Sequence, residues 1–194
     1  NFIYEHCVAR VSEEQKQELD LSHWRFAANG AEPIHAATLE KFNQSFAECG
    51  LSEDAIKPSY GMAETCLFVT ATAYDKPYRS VLLDKLELQK GKVVSLKERN
   101  SSEQGLLDGA VKVPSSGRLN DQMAICIVDT ESKQLLADDR VGEVWIRGDS
   151  VAQGYWNKPD VSAEVFNNEI LFDQQVIKAT GCQKEGYLRT GDFG

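Results

Sequence analysis

Phe2, Ile3, Cys7 and Val8 recur like one face of a helix over Phe2 to about Arg10, and Ser12-Glu13-Glu14-Gln15 has the form of a capping box opening another turn. Trp24 to Ala28 is a short apolar run that stops at Asn29-Gly30, which predicts a buried strand ending in a turn. From Ala36 to Cys49 the apolar residues Leu39, Phe42, Phe46 and Cys49 fall at intervals of three and four, predicting a helix closed by Gly50. Ile56 to Tyr60 predicts a second strand. Strand, helix, strand in that order is the pattern of a crossover unit in a mostly parallel sheet, where ligands sit beyond the carboxyl ends of the strands.

Past a further strand expected at Leu67 to Ala71, the pattern becomes polar with short apolar alternation. Val81 through Leu88, then Lys90-Gly91, then Val93-Val94 suggests a hairpin, and Asn100 to Gly105 is rich in turn residues. Tyr74 to Gly109 thus reads as an excursion outside the main core. Met123 to Val128 and Val141 to Ile146 carry strand character across a polar turn at Asp129 to Lys133, predicting a small antiparallel unit. A helix is expected after Lys158-Pro159, with Pro159 at an early helical position and Ala163, Val165 and Phe166 as its apolar surface. The expected class is α/β: the end of a doubly wound, mostly parallel subdomain (residues 1–73), an insertion (74–110), and a β-rich subdomain (111–194). The opening Phe2-Ile3-Tyr4 already lies inside a helical pattern and the chain stops straight after Thr190 to Gly194, so both ends read as interior to a longer polypeptide.

Charge and cysteine content narrow the classes. Thirty acidic residues against 21 basic ones give a formal charge of −9, which lacks the electrostatic footprint of a nucleic-acid partner or an anionic membrane surface. The five cysteines, Cys7, Cys49, Cys66, Cys126 and Cys182, are scattered without a C-x-x-C pair, which argues against a zinc site or a disulfide framework. No apolar run reaches the roughly 18 to 20 residues of a membrane helix. A soluble, cytoplasmic protein that is not integral to a membrane is the expectation.

Three segments carry candidate chemistry. Asn29-Gly30-Ala31-Glu32-Pro33 follows a predicted strand, where small residues allow close approach of backbone to a flat ligand; taken alone, a plain strand-to-helix turn explains it as well. Ser59-Tyr60-Gly61-Met62-Ala63-Glu64-Thr65 follows the next strand. There an aromatic ring can cover a nucleobase, Gly61 removes bulk beside it, and Glu64 and Thr65 offer a metal-binding carboxylate and a phosphate-facing hydroxyl. Alone, Glu64 could equally complement a helix N-terminus and Tyr60 fill core. In Tyr187-Leu188-Arg189-Thr190-Gly191-Asp192 a turn-held Asp192 can accept hydrogen bonds from both ribose hydroxyls, or be an ordinary turn aspartate.

In this order the segments resemble the adenylate-forming superfamily of acyl-CoA synthetases, luciferases and nonribosomal adenylation domains. Tyr60 to Thr65 is similar to its Y-G-x-x-E motif. Gly142-Glu143-Val144-Trp145-Ile146-Arg147-Gly148 with Gly154-Tyr155-Trp156 resembles its G-E-[LIV]-x-[LIV]-x-G…G-Y motif, and Tyr187 to Asp192 its Y-x-[RK]-T-G-D motif. Within the superfamily the chain resembles fatty acyl-AMP ligases, whose N-G-A-E-P segment stands here as Asn29 to Pro33 and whose extra insertion corresponds to Tyr74 to Gly109.

That resemblance implies binding of ATP and the adenylate by Asn29, Gly30, Ala31, Glu32, Tyr60, Gly61, Met62 and Asp192. It implies that Tyr60 packs on adenine and Asp192 holds the ribose, with Gly61 and Met62 bordering the acyl entrance. The catalytic pair would be Glu64, which helps hold Mg²⁺, and Thr65, which faces the α-phosphate. The implied reaction is attack of a fatty carboxylate on the α-phosphorus of ATP, with the acyl group passed to an acyl carrier protein. The insertion would hinder the domain rotation that transfer to CoA requires. The family's Ser/Thr/Gly-rich phosphate loop and its lysine-bearing small domain have no counterpart in the sequence, so the chain by itself is expected to be inactive. At Thr65 fatty acyl-AMP ligases often carry alanine. An acyl-CoA synthetase, an amino-acid adenylation domain, or a nonenzymatic nucleotide-binding module are the competing expectations.

Overall fold

The first apolar face forms helix α1 (Phe2–Arg10), and the capping box forms as read: Ser12 Oγ accepts from Gln15 N while Gln15 Oε1 accepts from Ser12 N, opening α2 (Glu13–Gln17). The computed structural model describes residues 1–96, 109–119, 121–171 and 182–194. Strand β1 is Ala27–Asn29, shorter than the apolar run that predicts it, because Trp24 and Phe26 lie on the surface at 39% and 47% exposure. Helix α3 (Ala36–Phe46) follows, continues as a 3₁₀ turn over Ala47–Cys49, and ends at Gly50 with φ 83°. Strand β2 (Ile56–Tyr60) then returns parallel to β1, pairing Ala27 with Ile56 and Asn29 with Pro58. The expected crossover unit is therefore present.

The α3 stripe is what holds it. Leu39, Phe42 and Phe46 are buried with Tyr4, Ala27, Cys49, Leu51, Ala55 and Ile56, and the Phe42 ring lies 4.7 Å from both Tyr4 (edge-on) and Phe46. Each of the leucine, isoleucine and phenylalanine side chains contributes about 1.5–3 kcal/mol of burial. Lys57 of β2 is fully buried and donates from Nζ to the carbonyls of Ala73 (3.1 Å) and Lys76 (2.6 Å), so a loop is fastened to the strand by a buried ammonium that needs partners.

Downstream, two expectations are corrected. The strand expected at Leu67 to Ala71 is only β3 (Thr70–Ala71), antiparallel to β2, since Cys66 and Leu67 take positive φ (58° and 108°) that no strand accommodates. The expected hairpin is β4 (Ser80–Asp84) running into a short helix α4 (Lys85–Gln89): Asp84 caps it by accepting from Leu86 N and Glu87 N, a local bond that outcompetes extension of the strand. The return is made by Asp84 N bonding Val94 O and by a Leu83–Ser95 bridge. Residues 97–108 of the expected insertion lie outside the described residues. Strand β5 (Ala110–Pro114) pairs with β4, and β6 (Arg118–Leu119) follows.

The β-rich part is an antiparallel sheet in the order β7 (Met123–Val128), β8 (Glu143–Gly148), β9 (Leu188–Phe193), with Cys126 opposite Trp145 and Trp145 opposite Arg189. Helix α5 (Pro159–Val165) starts at Pro159 as expected. Here Cys126, Val128, Trp145, Ile170 and Tyr187 form the core. Burial, and then the Cys182 sulfur 2.9 Å away, push the Cys126 thiol up to about 12. By compactness the chain divides into a first unit (Asn1–Met62, Phe68–Leu82, Val111–Arg118) and a second (Ala63–Leu67, Leu83–Ala110, Leu119–Gly194).

Candidate active site

In the first unit the parallel register places the ends of β1 and β2 side by side, so Asn29–Glu32 and Tyr60–Met62 leave the sheet as neighbours. Ser59 Oγ donates to Asn29 O (3.4 Å), and a Cβ on Gly30 would stand 2.8 Å from Ser59 O. Glycine is thus required by close approach of two backbones. Ala31 turns the chain in the left-handed region (φ 65°), an uncommon conformation for a residue with a Cβ and one often found at functional turns. Gly30→Ala is expected to destabilise the protein by about 1–3 kcal/mol through this overlap. A shift of the chemical-denaturation midpoint measures it, and an unchanged midpoint would mean that the two strand ends do not meet.

The remaining residues of this group do different things. Tyr60 Oη donates to Met62 Sδ at 4.0 Å, which folds the two side chains together. Asn29 is buried, accepts from Asn1 N at 3.0 Å, and leaves its side-chain Nδ2 donor without a hydrogen-bond partner in the described residues. Glu32 turns to the start of α1, accepting from the nitrogens of Asn1 and Phe2 (2.6 Å each). A cleft of about 360 Å³ runs past Asn29, Gly30 and Glu32, walled by Tyr4, Trp24 and Phe42.

In the second unit Glu64 and Thr65 sit on a 3₁₀ turn (Ala63–Thr65). Thr65 is buried at 1% exposure, whereas Glu64 is half-buried and its Oε1 accepts a 2.6 Å bond from Tyr155 Oη. The bond to Glu64, ahead of burial, pushes the Tyr155 phenol up. Asp192 is exposed and lies within the span of strand β9: β8 pairs with Leu188, Arg189 and Phe193, while Thr190–Asp192 fall in the register shift at Glu143/Trp145, where Gly191 takes φ 76°. Behind it, Glu143 accepts from Trp145 Nε1 (3.0 Å), Arg189 Nε and Nη2 (3.1 and 3.0 Å) and Gly191 N (3.1 Å). Thr190 Oγ1 donates to Val144 O (2.7 Å) and accepts from Asp192 N (3.0 Å).

Glu143, Arg189 and Tyr155 stand within the sequence motifs without an assigned task. A signal existed for the pair: a glutamate and an arginine in otherwise apolar strand patterns need partners. Among the described residues no group of three or more His, Cys, Asp or Glu side chains is gathered as a metal cage. A single half-buried carboxylate, Glu64, fits Mg²⁺, which takes one or two carboxylates and completes its shell from substrate phosphates and water. No helix among the described residues is long and apolar enough to cross a membrane.

The model of the AMP-binding enzyme family matches residues 2–156. The chain belongs to that family. Among AMP-binding enzymes it is 37% identical over 196 residues to the long-chain-fatty-acid–AMP ligase FadD32 of Mycolicibacterium smegmatis, covering 100% of this chain and 30% of the relative. It is 34% identical to the medium-chain-fatty-acid–[acyl-carrier-protein] ligase TtuA of Teredinibacter turnerae, covering 100% and 29%. Among solved structures, a fatty acyl-adenylate ligase from L. pneumophila in complex with acyl adenylate and pyrophosphate is 37% identical with a TM-score of 0.82, covering 100% of this chain and 31% of that one. The chain therefore spans about 30% of the length of these AMP-binding relatives.

Proposed function

We propose that the protein carrying this chain activates a fatty acid with ATP, forming an acyl-adenylate and pyrophosphate, and that the acyl group then passes to an acyl carrier protein in the cytoplasm. The observation that carries this reading is the meeting of Asn29–Glu32 with Tyr60–Met62 beyond the ends of two parallel strands, the position where such sheets bind ligands. In this reading Asn29, Gly30, Ala31 and Glu32 line the adenine site, Tyr60 stacks on the base, Gly61 and Met62 border the acyl path, and Asp192 accepts from the ribose hydroxyls. Glu64 holds Mg²⁺, which when bound neutralises phosphate charge. Thr65 is assigned to the α-phosphate, although its hydroxyl is buried in the described chain. The contribution of these groups is positioning and electrostatics about the α-phosphorus.

Transfer to a carrier protein rather than CoA is the finer part of the proposal. It is supported by TtuA, a carrier-protein ligase 34% identical to this chain, and by the segment 74–110. The part of that segment within the second unit is fastened to the β7–β8 connection: Val93 N donates to Asp139 O (2.8 Å) and Val141 N to Gly91 O (3.0 Å). A segment held in this way can restrict a neighbouring domain, as the CoA-excluding role requires. The test offers the full-length protein ATP, Mg²⁺ and a fatty acid with either CoA or a phosphopantetheinylated carrier protein. Acyl-carrier product with little acyl-CoA is the expected result. Efficient acyl-CoA formation with residues 74–110 intact would assign the protein to the acyl-CoA synthetases.

A further inference from the structure

We infer that Tyr155 is a positioning residue for the Glu64 carboxylate, setting the oxygen that meets a nucleotide-bound divalent cation. The inference rests on the reading of Glu64 as the metal carboxylate. The two residues are 91 positions apart, and the 2.6 Å separation of Tyr155 Oη from Glu64 Oε1 is in the range of a charge-assisted O–H···O⁻ bond. A second tie runs between the same segments, from Ala152 N to Glu64 O at 2.8 Å. Both the backbone and the side chain of Glu64 are thereby referred to the chain at 152–155.

Tyr155 is itself fixed. Its N–H donates to Ser162 Oγ at 2.8 Å, Ser162 Oγ donates to Lys158 O at 2.7 Å, and its ring stands edge-on to Phe166 at 5.2 Å. Phe166 is buried, so the ring is braced against core. A free glutamate side chain loses up to roughly 1.5–2 kcal/mol of rotamer entropy when ordered. With the phenol holding Oε1, much of that ordering is complete before a cation arrives, and Oε2 has no hydrogen-bond partner among the described residues. The phenol also draws charge from the carboxylate, which opposes cation binding. Orientation outweighs this for a ligand binding through the other oxygen, as it does for other outer-shell partners, whose removal typically weakens metal affinity 10- to 100-fold. Exposure of Tyr155 sets the expectation at the lower end.

The experiment is calorimetric titration of the full-length protein with ATP, with and without Mg²⁺, in the wild type and in Tyr155→Phe, which keeps the ring. The variant is expected to lose about tenfold of the Mg²⁺-dependent enhancement of ATP affinity and to bind metal-free ATP as the wild type does. In a Glu64→Gln background the same change is expected to have no further effect. Ser162→Ala, which releases the Tyr155 backbone and keeps the hydroxyl, is expected to lose about threefold and serves if the phenylalanine variant does not fold. An unchanged enhancement in Tyr155→Phe overturns the positioning role alone, as does an equal loss with and without Mg²⁺, which marks a structural role. A wild type that binds ATP without any Mg²⁺ enhancement overturns the metal assignment of Glu64 and this inference with it.

Discussion

Replacing Glu143 by glutamine is expected to destabilise the β7–β9 unit by about 3 kcal/mol, read as a fall in the chemical-denaturation midpoint. The size follows from the donor count. Glu143 is 3% exposed, and each of its partners is a donor: Trp145 Nε1 and the Arg189 guanidinium at Oε2, Gly191 N at Oε1. A glutamine has one acceptor and one NH₂ group, so either amide orientation sets donor against donor and leaves Arg189 without its counter-charge. Burial raises the Glu143 carboxyl, but the bonds from Trp145, Arg189 and Gly191 outweigh it and hold the group below the usual range. Stability from this depressed value is present above the unfolded glutamate pKa of about 4.3 and is lost as pH falls through the folded value. The glutamine variant should accordingly show a shallower loss of stability on the acid side. Because Gly191 N and Thr190 Oγ1 set the backbone at Asp192, the same change should also weaken nucleotide binding. A midpoint within about 0.5 kcal/mol of the wild type would show that the cluster does not hold β9.

Glu64→Gln carries the largest expected effect on activity: a fall of about 10²- to 10³-fold in Mg²⁺-dependent pyrophosphate formation, with adenosine affinity nearly unchanged. Glutamine retains the size of the side chain and an oxygen that Tyr155 Oη can bond, so what is removed is the charge opposite the cation. Steady-state rates across a Mg²⁺ series, beside AMP binding, separate the two quantities. Rates that fall no further than AMP affinity would mark Glu64 as part of a simple binder and favour the nonenzymatic module.

How far the sequence speaks depends on whether a feature is set locally. The α3 stripe, the Ser12 capping box, β2 and the Pro159 start of α5 are legible because each is dictated by residues within a turn or two of one another. Strand β1 begins later than its apolar run because nothing in the run says that Trp24 and Phe26 face outward. Leu67 to Ala71 has the composition of a strand, and the positive φ values at Cys66 and Leu67 that shorten it have no glycine to announce them. At the site, the ordered motifs identify the residues, but their partners come from far along the chain. The bonds from Tyr155 to Glu64 and from Arg189 to Glu143 span 91 and 46 positions, and no local pattern predicts which acid meets which donor. Lys57 is the same case: a lysine in a strand reads as a solvated edge until the carbonyls of Ala73 and Lys76 are brought to it.

In the proposed reaction the Asn29–Glu32, Tyr60–Thr65 and Asp192 groups serve adenylation of a fatty acid. Its most direct test is fatty-acid-dependent exchange of labelled pyrophosphate into ATP by the full-length protein, with Mg²⁺ and no acceptor present. Exchange that requires both the fatty acid and Mg²⁺, and that disappears in Glu64→Gln, is the predicted result. Binding of AMP without any acid-dependent exchange would contradict the claim and leave a nucleotide site without adenylation chemistry.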